Sequence, residues 1–355
     1  MPGGRRTASA AAVLLALSVG ACSSDDPGAD PGAGPAPART SASADEPSSG
    51  PTQPPTPAEQ PTTLPPATDT PSLANLMRAD FDGRDLRVLR TETRTDAYTR
   101  QQVTYRSNGT VVSGVLLRPH GRGPFPAVVL NHGYIEPSAY ATGQGMAREQ
   151  DWLVRAGFVV LHTDYRGHAA GDPAGDRERE LRLGYARDSI NAVLALEKQP
   201  YVDADKTAMV GRSMGGGVTL NALVAAPGVV DAAVIYASVS SSFLDNLHHF
   251  TRPNRPEAVR ALTEEYGAPQ QAPAFYRGLS SRTYFDRITE PVLIHHGTVD
   301  ATCPPRWSRT TQRLLQRAGV DSTLVEYAGE DHTFYARWQD SIIRTVRFLR
   351  RQLEV

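Results

Sequence analysis

A chain of 355 residues with 37 basic and 38 acidic side chains and 40% hydrophobic residues is long enough to bury a core, and its net charge of -1, with the basic residues spread along the chain, gives no footprint for nucleic acid. No His and Cys cluster has metal-ligand spacing and no G-x-G-x-x-G follows the first strand, so neither a metal nor a dinucleotide cofactor is expected. From Ser23 to Thr70 the chain is Pro, Ala, Ser, Thr and Gly with scattered acids, a composition that cannot bury enough surface to offset its ordering entropy. Residues 22–72 therefore read as a disordered tether, and residues 73–355 as one folded domain.

In chain order, Arg5 and Arg6 precede an apolar run from Ala8 to Val19, with Gly20 and Ala21 after it. This is the order of an export signal over residues 1–21, and the run is too short to span a membrane. Val19-Gly20-Ala21-Cys22 resembles a bacterial lipobox, which implies lipid on Cys22 and an anchor on the outer face of the cell membrane. The alternative is an ordinary secretory signal whose Cys22 is lost on cleavage. In either case Cys303 is left as a lone thiol, expected to act as a small apolar side chain. About fifty residues of flexible tether would reach roughly 40 Å from such an anchor.

Residues 101–106 and 110–118 read as a hairpin turned at Asn108-Gly109. The short apolar runs 125–130 and 158–162 are strands covered on both faces, and residues 146–156 between them have helical spacing that stops at Gly157. The rotation continues with a helix over 183–198, a strand over 207–210, a helix from Met214, strands over 232–237, 292–295 and 323–327, and a last helix from about 335 to 353. Such alternation predicts a mainly parallel central sheet flanked by helices. Residues 238–290 break it. This long insertion is aromatic-rich and helical over 256–266, and it is either a lid or wall over the site or a subdomain remote from it.

Gly211-Arg212-Ser213-Met214-Gly215 fits G-x-S-x-G between a strand and a helix, where a sharp turn exposes the serine and its flanking positions must be small. Serine needs a base to take its proton, and the base needs a carboxylate to hold its tautomer. Asp300 follows the 292–295 strand and His332 follows the 323–327 strand, both beyond carboxyl strand ends and in the order Ser, Asp, His. Glu330, Asp331 and Asp245 are rival carboxylates, and His295 and His296 are expected to be core or rim histidines. The backbone N–H of Met214 and that of Tyr134, in Asn131-His132-Gly133-Tyr134, are the candidate oxyanion donors. His132 is expected to be structural.

Six segments in order carry a family likeness: Pro126 to Gly133, Asp164-Tyr165-Arg166-Gly167, Val202-Asp203-Ala204-Asp205, Gly211 to Gly216, His296 to Asp300, and Tyr327 to Phe334. From Val111 to Leu353 the chain resembles the catalytic domain of the prolyl oligopeptidase family of serine peptidases. The resemblance implies an α/β-hydrolase fold, a Ser213-Asp300-His332 triad, no cofactor, and hydrolysis of a small-molecule ester or peptide substrate through an acyl-enzyme. Two departures qualify it. Family peptidases usually carry a β-propeller, for which there is no room between the tether and the first strands, and Ser213-Met214-Gly215-Gly216 is similar to bacterial esterases and polyesterases. Carboxylesterase and cell-envelope acyltransferase therefore stand as alternative expectations.

Overall fold

The Asn108-Gly109 turn closes a tight two-residue hairpin. Both residues take positive φ, 50° and 88°, which a two-residue hairpin of this twist requires, and the flanking Ser107 and Thr110 pair directly. The computed structural model describes residues 63–355, so the signal, Cys22 and the tether up to residue 62 lie outside the described residues. Within the last part of the expected tether, the backbone N–H of Thr68 and the side-chain amide of Asn75 exchange hydrogen bonds of 2.9 and 2.8 Å, and Ser72 is buried.

The described strands are β1 (Arg84–Arg94), β2 (Tyr98–Ser107), β3 (Thr110–Pro119), β4 (Phe125–Asn131), β5 (Val159–Thr163), β6 (Val202–Arg212), β7 (Ala232–Tyr236), β8 (Val292–Gly297) and β9 (Ser322–Tyr327). They form one sheet in the order β1-β2-β3-β5-β4-β6-β7-β8-β9. The β1-β2-β3-β5 pairs are antiparallel and every pair from β5 through β4 to β9 is parallel. The fold is that of an α/β hydrolase.

Alternation along the parallel strands divides the core in two. Val129, Leu161, Met209, Ile235 and Ile294 face one side, where the Leu183–Glu197 and Met214–Ala225 helices cover them. Val128, Leu130, Val160, Val210 and Val234 face the other, under the Ala147–Arg155 and Trp338–Gln352 helices. With both faces covered, continuous apolar runs are what these strands need.

The last helix begins at Trp338 rather than near residue 335, because residues 331–337 form an irregular loop with Phe334 at φ 58°. Three elements had no clear pattern in the sequence. β1 is exposed along nearly its whole length, the Arg306–Arg317 helix alternates Arg, Thr and Gln with few apolar residues, and β6 extends back to Val202 through Asp203-Ala204-Asp205.

The insertion forms a chain of short helices: Phe243–Asn246, a π turn at Leu247–Thr251, Arg252–Asn254, Pro256–Tyr266 and Pro273–Gly278, then a 3-10 segment, Ser281–Arg287. Leu247, Leu262, Phe275, Tyr276 and Leu279 give it a small core of its own, shared with Leu181.

Candidate active site

Ser213 follows the last residue of β6 with φ 55° and ψ -119°, a backbone state costing about 1–3 kcal/mol outside glycine. Its surroundings hold it there. The Ser213 N–H donates to the Tyr236 carbonyl at 2.9 Å, and the Ser213 carbonyl accepts from Gly216 and Val239 at 3.0 and 3.1 Å. A Cβ at Gly211 would lie 2.3 Å from the Gly215 oxygen, and one at Gly215 would lie 1.8 Å from the Asn131 oxygen. Strand, helix and the chain leaving β4 thus pass at distances only glycine allows.

Asp300 and His332 leave β8 and β9 and meet. His332 Nδ1 lies 2.8 Å from Asp300 Oδ2, so the ring proton sits on Nδ1 and Nε2 is free to accept one. The other carboxylate oxygen accepts the backbone N–H groups of Thr302 and Cys303, both at 2.8 Å. Burial pushes the Asp300 carboxyl up, but hydrogen bonds from His296, His332 and the Cys303 N–H together hold it well below the usual carboxylate range.

The rival carboxylates are engaged elsewhere. Glu330 accepts the Arg337 N–H at 2.7 Å, Asp331 holds Thr333 at 2.8 and 2.6 Å, and Asp245 accepts from Ser240 Oγ at 2.6 Å.

His296 is buried, as a core histidine would be, yet it touches the site. Its Nε2 lies 2.7 Å from the Cys303 carbonyl and 3.3 Å from Asp300 Oδ2, and its Nδ1 lies 2.6 Å from Ser308 Oγ. Two oxygens facing Nε2 make that atom the donor, so His296 braces the back of Asp300. Its place four residues before Asp300 on a strand end was visible in the sequence, but not its direction. His295 is held between Tyr327 and Thr345 at 2.9 and 3.0 Å, and burial lowers it to about 3. His132 is likewise buried and lowered to about 3, its Nδ1 2.6 Å from the Gly133 carbonyl.

Ser213 and His332 share a cavity of about 550 Å³ whose wall also includes Met214 and Tyr134. The site is not in hydrogen-bonded register: among the described residues the hydroxyl of Ser213 has Cys303 Sγ at 4.0 Å as its neighbour, and no hydrogen bond joins it to His332. Cys303 is buried and unpaired, and burial raises its thiol far above the ordinary range, so it is protonated rather than a nucleophile. From the insertion, Phe250, Asn254 and Arg255 reach the cavity wall. That segment is therefore both a wall of the site and a small core of its own.

The loop bearing His332 is clamped by two arginines. Arg212 Nη1 donates to the His332 carbonyl at 3.4 Å, and Arg148 donates to the Thr333 and Phe334 carbonyls at 2.7 and 3.1 Å. Arg148 lies over the Trp338 ring, and Arg212 over Tyr236 and Phe334. Arg212 is fixed in turn by the buried Glu149 at 2.5 Å. Burial pushes the Glu149 carboxyl up and the Arg212 charge and hydrogen bond pull it lower still, to a net position below its usual range. No sequence spacing signals this clamp, since its parts come from three separate elements. Among the described residues no group of three or more His, Cys, Asp and Glu is placed to hold a metal ion.

A family model described as the prolyl oligopeptidase family matches residues 144–355. The chain belongs to that family. Its members are serine peptidases and related hydrolases, and the chain is a hydrolase of this class. It is 25% identical over 245 residues to the uncharacterized peptidase YtmA of Bacillus subtilis, covering 68% of this chain and 89% of that one. It is 28% identical over 248 residues to dipeptidyl aminopeptidase BIII of Pseudoxanthomonas mexicana, covering 66% of this chain and 35% of the aminopeptidase. Thus the chain spans about a third of the length of the aminopeptidase. Among solved structures, an acetyl xylan esterase from a Thermoanaerobacterium species superposes with a TM-score of 0.59 at 17% identity, covering 78% of this chain and 92% of the esterase. A puromycin-hydrolyzing peptidase of Mycobacterium tuberculosis does so at 0.58 and 23%, covering 74% and 41%. Family peptidases and an esterase thus share this fold.

Proposed function

We propose that the chain hydrolyses an ester or amide through an acyl-enzyme on Ser213. His332 Nε2 takes the hydroxyl proton as Ser213 attacks the carbonyl carbon, and it returns that proton to the leaving oxygen or nitrogen. Asp300 keeps the imidazole in the Nδ1–H tautomer and stabilises the imidazolium that forms. The backbone N–H groups of Met214 and Tyr134 are the donors assigned to the oxyanion. Water, with its proton taken by His332, then releases the acyl group. The observation that carries this reading is the 2.8 Å contact of His332 Nδ1 with Asp300 Oδ2, on the wall of the same cavity as a serine held at φ 55°.

The test compares hydrolysis of an ester and an amide that share one acyl group, with Ser213→Ala as the blank. Comparable kcat/KM on both marks a peptidase, and turnover of the ester alone marks a carboxylesterase. Activity retained in Ser213→Ala would overturn the mechanism.

We also propose that the chain is exported and lipidated on Cys22, supported by Arg5, Arg6, the apolar run and Val19-Gly20-Ala21-Cys22. Cys22→Ser is expected to move the enzyme from the membrane to the soluble fraction. An unchanged distribution would count against the anchor.

A further inference from the structure

The charges in the wall of the Ser213 cavity do not balance. Glu136, Arg182 and Arg255 line it along with His332. Arg255 is matched by the nearly buried Glu180, which it meets through Nε at 2.8 Å and Nη2 at 3.0 Å. Glu136 accepts from Arg179 at 3.1 Å and from the Tyr134 hydroxyl at 2.6 Å. Arg182 has no such partner. Among the described residues its side chain makes no hydrogen bond and no ion pair, and its Nε is buried and unsatisfied.

The position of Arg182 is fixed by its backbone rather than by its head group. It sits at φ 59°, where the Asp176–Leu181 helix ends and the Leu183–Glu197 helix begins. Its N–H donates to the Glu178 carbonyl at 2.8 Å and its carbonyl accepts from Ala186 at 3.3 Å. It also lines a second, much smaller cavity of about 30 Å³ beside Met214 and Val239, room for about one water. A guanidinium stays charged in any protein environment and presents its donors in a planar fork that fits a carboxylate. Leaving such a group unpaired beside a nucleophile is costly unless a ligand completes it.

We infer that the enzyme acts on substrates bearing a free carboxylate near the scissile bond, and that Arg182 is the residue that receives it. The sign of the pocket excludes the opposite preference. An ammonium group needs an uncommitted acid, and the acid in this wall, Glu136, already carries Arg179 and Tyr134. This inference rests on Ser213 being the nucleophile, and it names the substrate class for that same site.

Two pairs of activated esters test it. One pair, 4-nitrophenyl hydrogen adipate and 4-nitrophenyl methyl adipate, carries the charge on the acyl side. The other, the acetyl esters of 4-hydroxybenzoic acid and of its methyl ester, carries it on the leaving group. In at least one pair the carboxylate member is expected to be preferred in kcat/KM by about tenfold to a hundredfold, the size of one charge-assisted contact. Arg182→Met should bring that ratio to about one, and Arg182→Lys should leave part of it, since the charge remains without the fork. Equal rates within both pairs, or a preference that survives Arg182→Met, would overturn the inference, with a trapped water then completing Arg182.

Labelling by a fluorophosphonate separates this question from the identity of the nucleophile. Monomethyl adipate is expected to protect the wild type from the label more strongly than dimethyl adipate does, and not to protect Arg182→Met. Absence of labelling on Ser213 indicts the nucleophile. Labelling without selective protection by the carboxylate indicts the role of Arg182 alone.

Discussion

Ser213 and His332 are held in place by different physics. Ser213 is set by main chain and glycines within a few residues of it, together with the crossing at Asn131. His332 stands on an irregular loop whose carbonyls are gripped by side chains 120 to 186 residues away in sequence. The proposed nucleophile is therefore a local, backbone-determined feature, and the proposed base is a long-range, side-chain-determined one. Damage to the first should destroy the fold, and damage to the second should detune the reaction while the fold survives.

The largest effect is expected at the elbow. Gly215→Val drives a branched side chain into the Asn131 main chain, where a Cβ alone would lie at 1.8 Å. Destabilisation of about 3 kcal/mol or more is expected, read as loss of soluble protein or of the cooperative thermal transition. A melting temperature near that of wild type would contradict the description of the elbow.

Asp300→Asn comes next and falls on the other half. With no carboxylate facing Nδ1 the imidazole loses its tautomer and orientation, and kcat should fall on the order of ten-thousandfold with KM little changed. Smaller again is Arg148→Ala. This side chain is exposed and grips two carbonyls of the His332 loop, so kcat should fall about tenfold to a hundredfold while melting temperature and KM stay near wild type. If kcat is unaffected, the loop is held by Arg212 and Glu149 without it.

The smallest effect is one of pH on stability. Because the folded Asp300 carboxyl lies below its usual range, its ionised form is favoured by folding. Its contribution is then fully present above the unfolded value of about 4 and is lost as pH falls through the lower folded value. In urea unfolding, the stability difference between wild type and Asp300→Asn should shrink as pH is lowered from 6 to 3. A difference that grows over that range would mean the carboxylate is strained rather than supported.

The same division explains what the sequence made legible. The parallel strands announce themselves as apolar runs because both faces are covered, and G-x-S-x-G is readable because its glycines answer a local steric demand. Asp300 and His332 could be nominated from their places after β8 and β9, since strand ends in this topology converge on one edge of the sheet. β1 escaped notice because, exposed on the sheet edge, it needs no apolar alternation, and Arg-Asp-Leu-Arg-Val-Leu-Arg has little. The Arg306–Arg317 helix buries only Trp307, Ser308, Thr311 and Leu315, too sparse a stripe to stand out. The clamp of Arg148, Arg212 and Glu149, the contact of His296 with Asp300, and the unpaired Arg182 are invisible for one reason: each is a meeting of side chains from distant segments, and an arginine in a sequence says nothing of whether its partner is present.

The most direct test of the central claim is to map the site of fluorophosphonate attachment on the purified enzyme by peptide mass spectrometry. A single adduct on Ser213 is expected, absent from Ser213→Ala and formed far more slowly in His332→Ala. Equal labelling of Ser213→Ala, or an adduct on another residue, would contradict it.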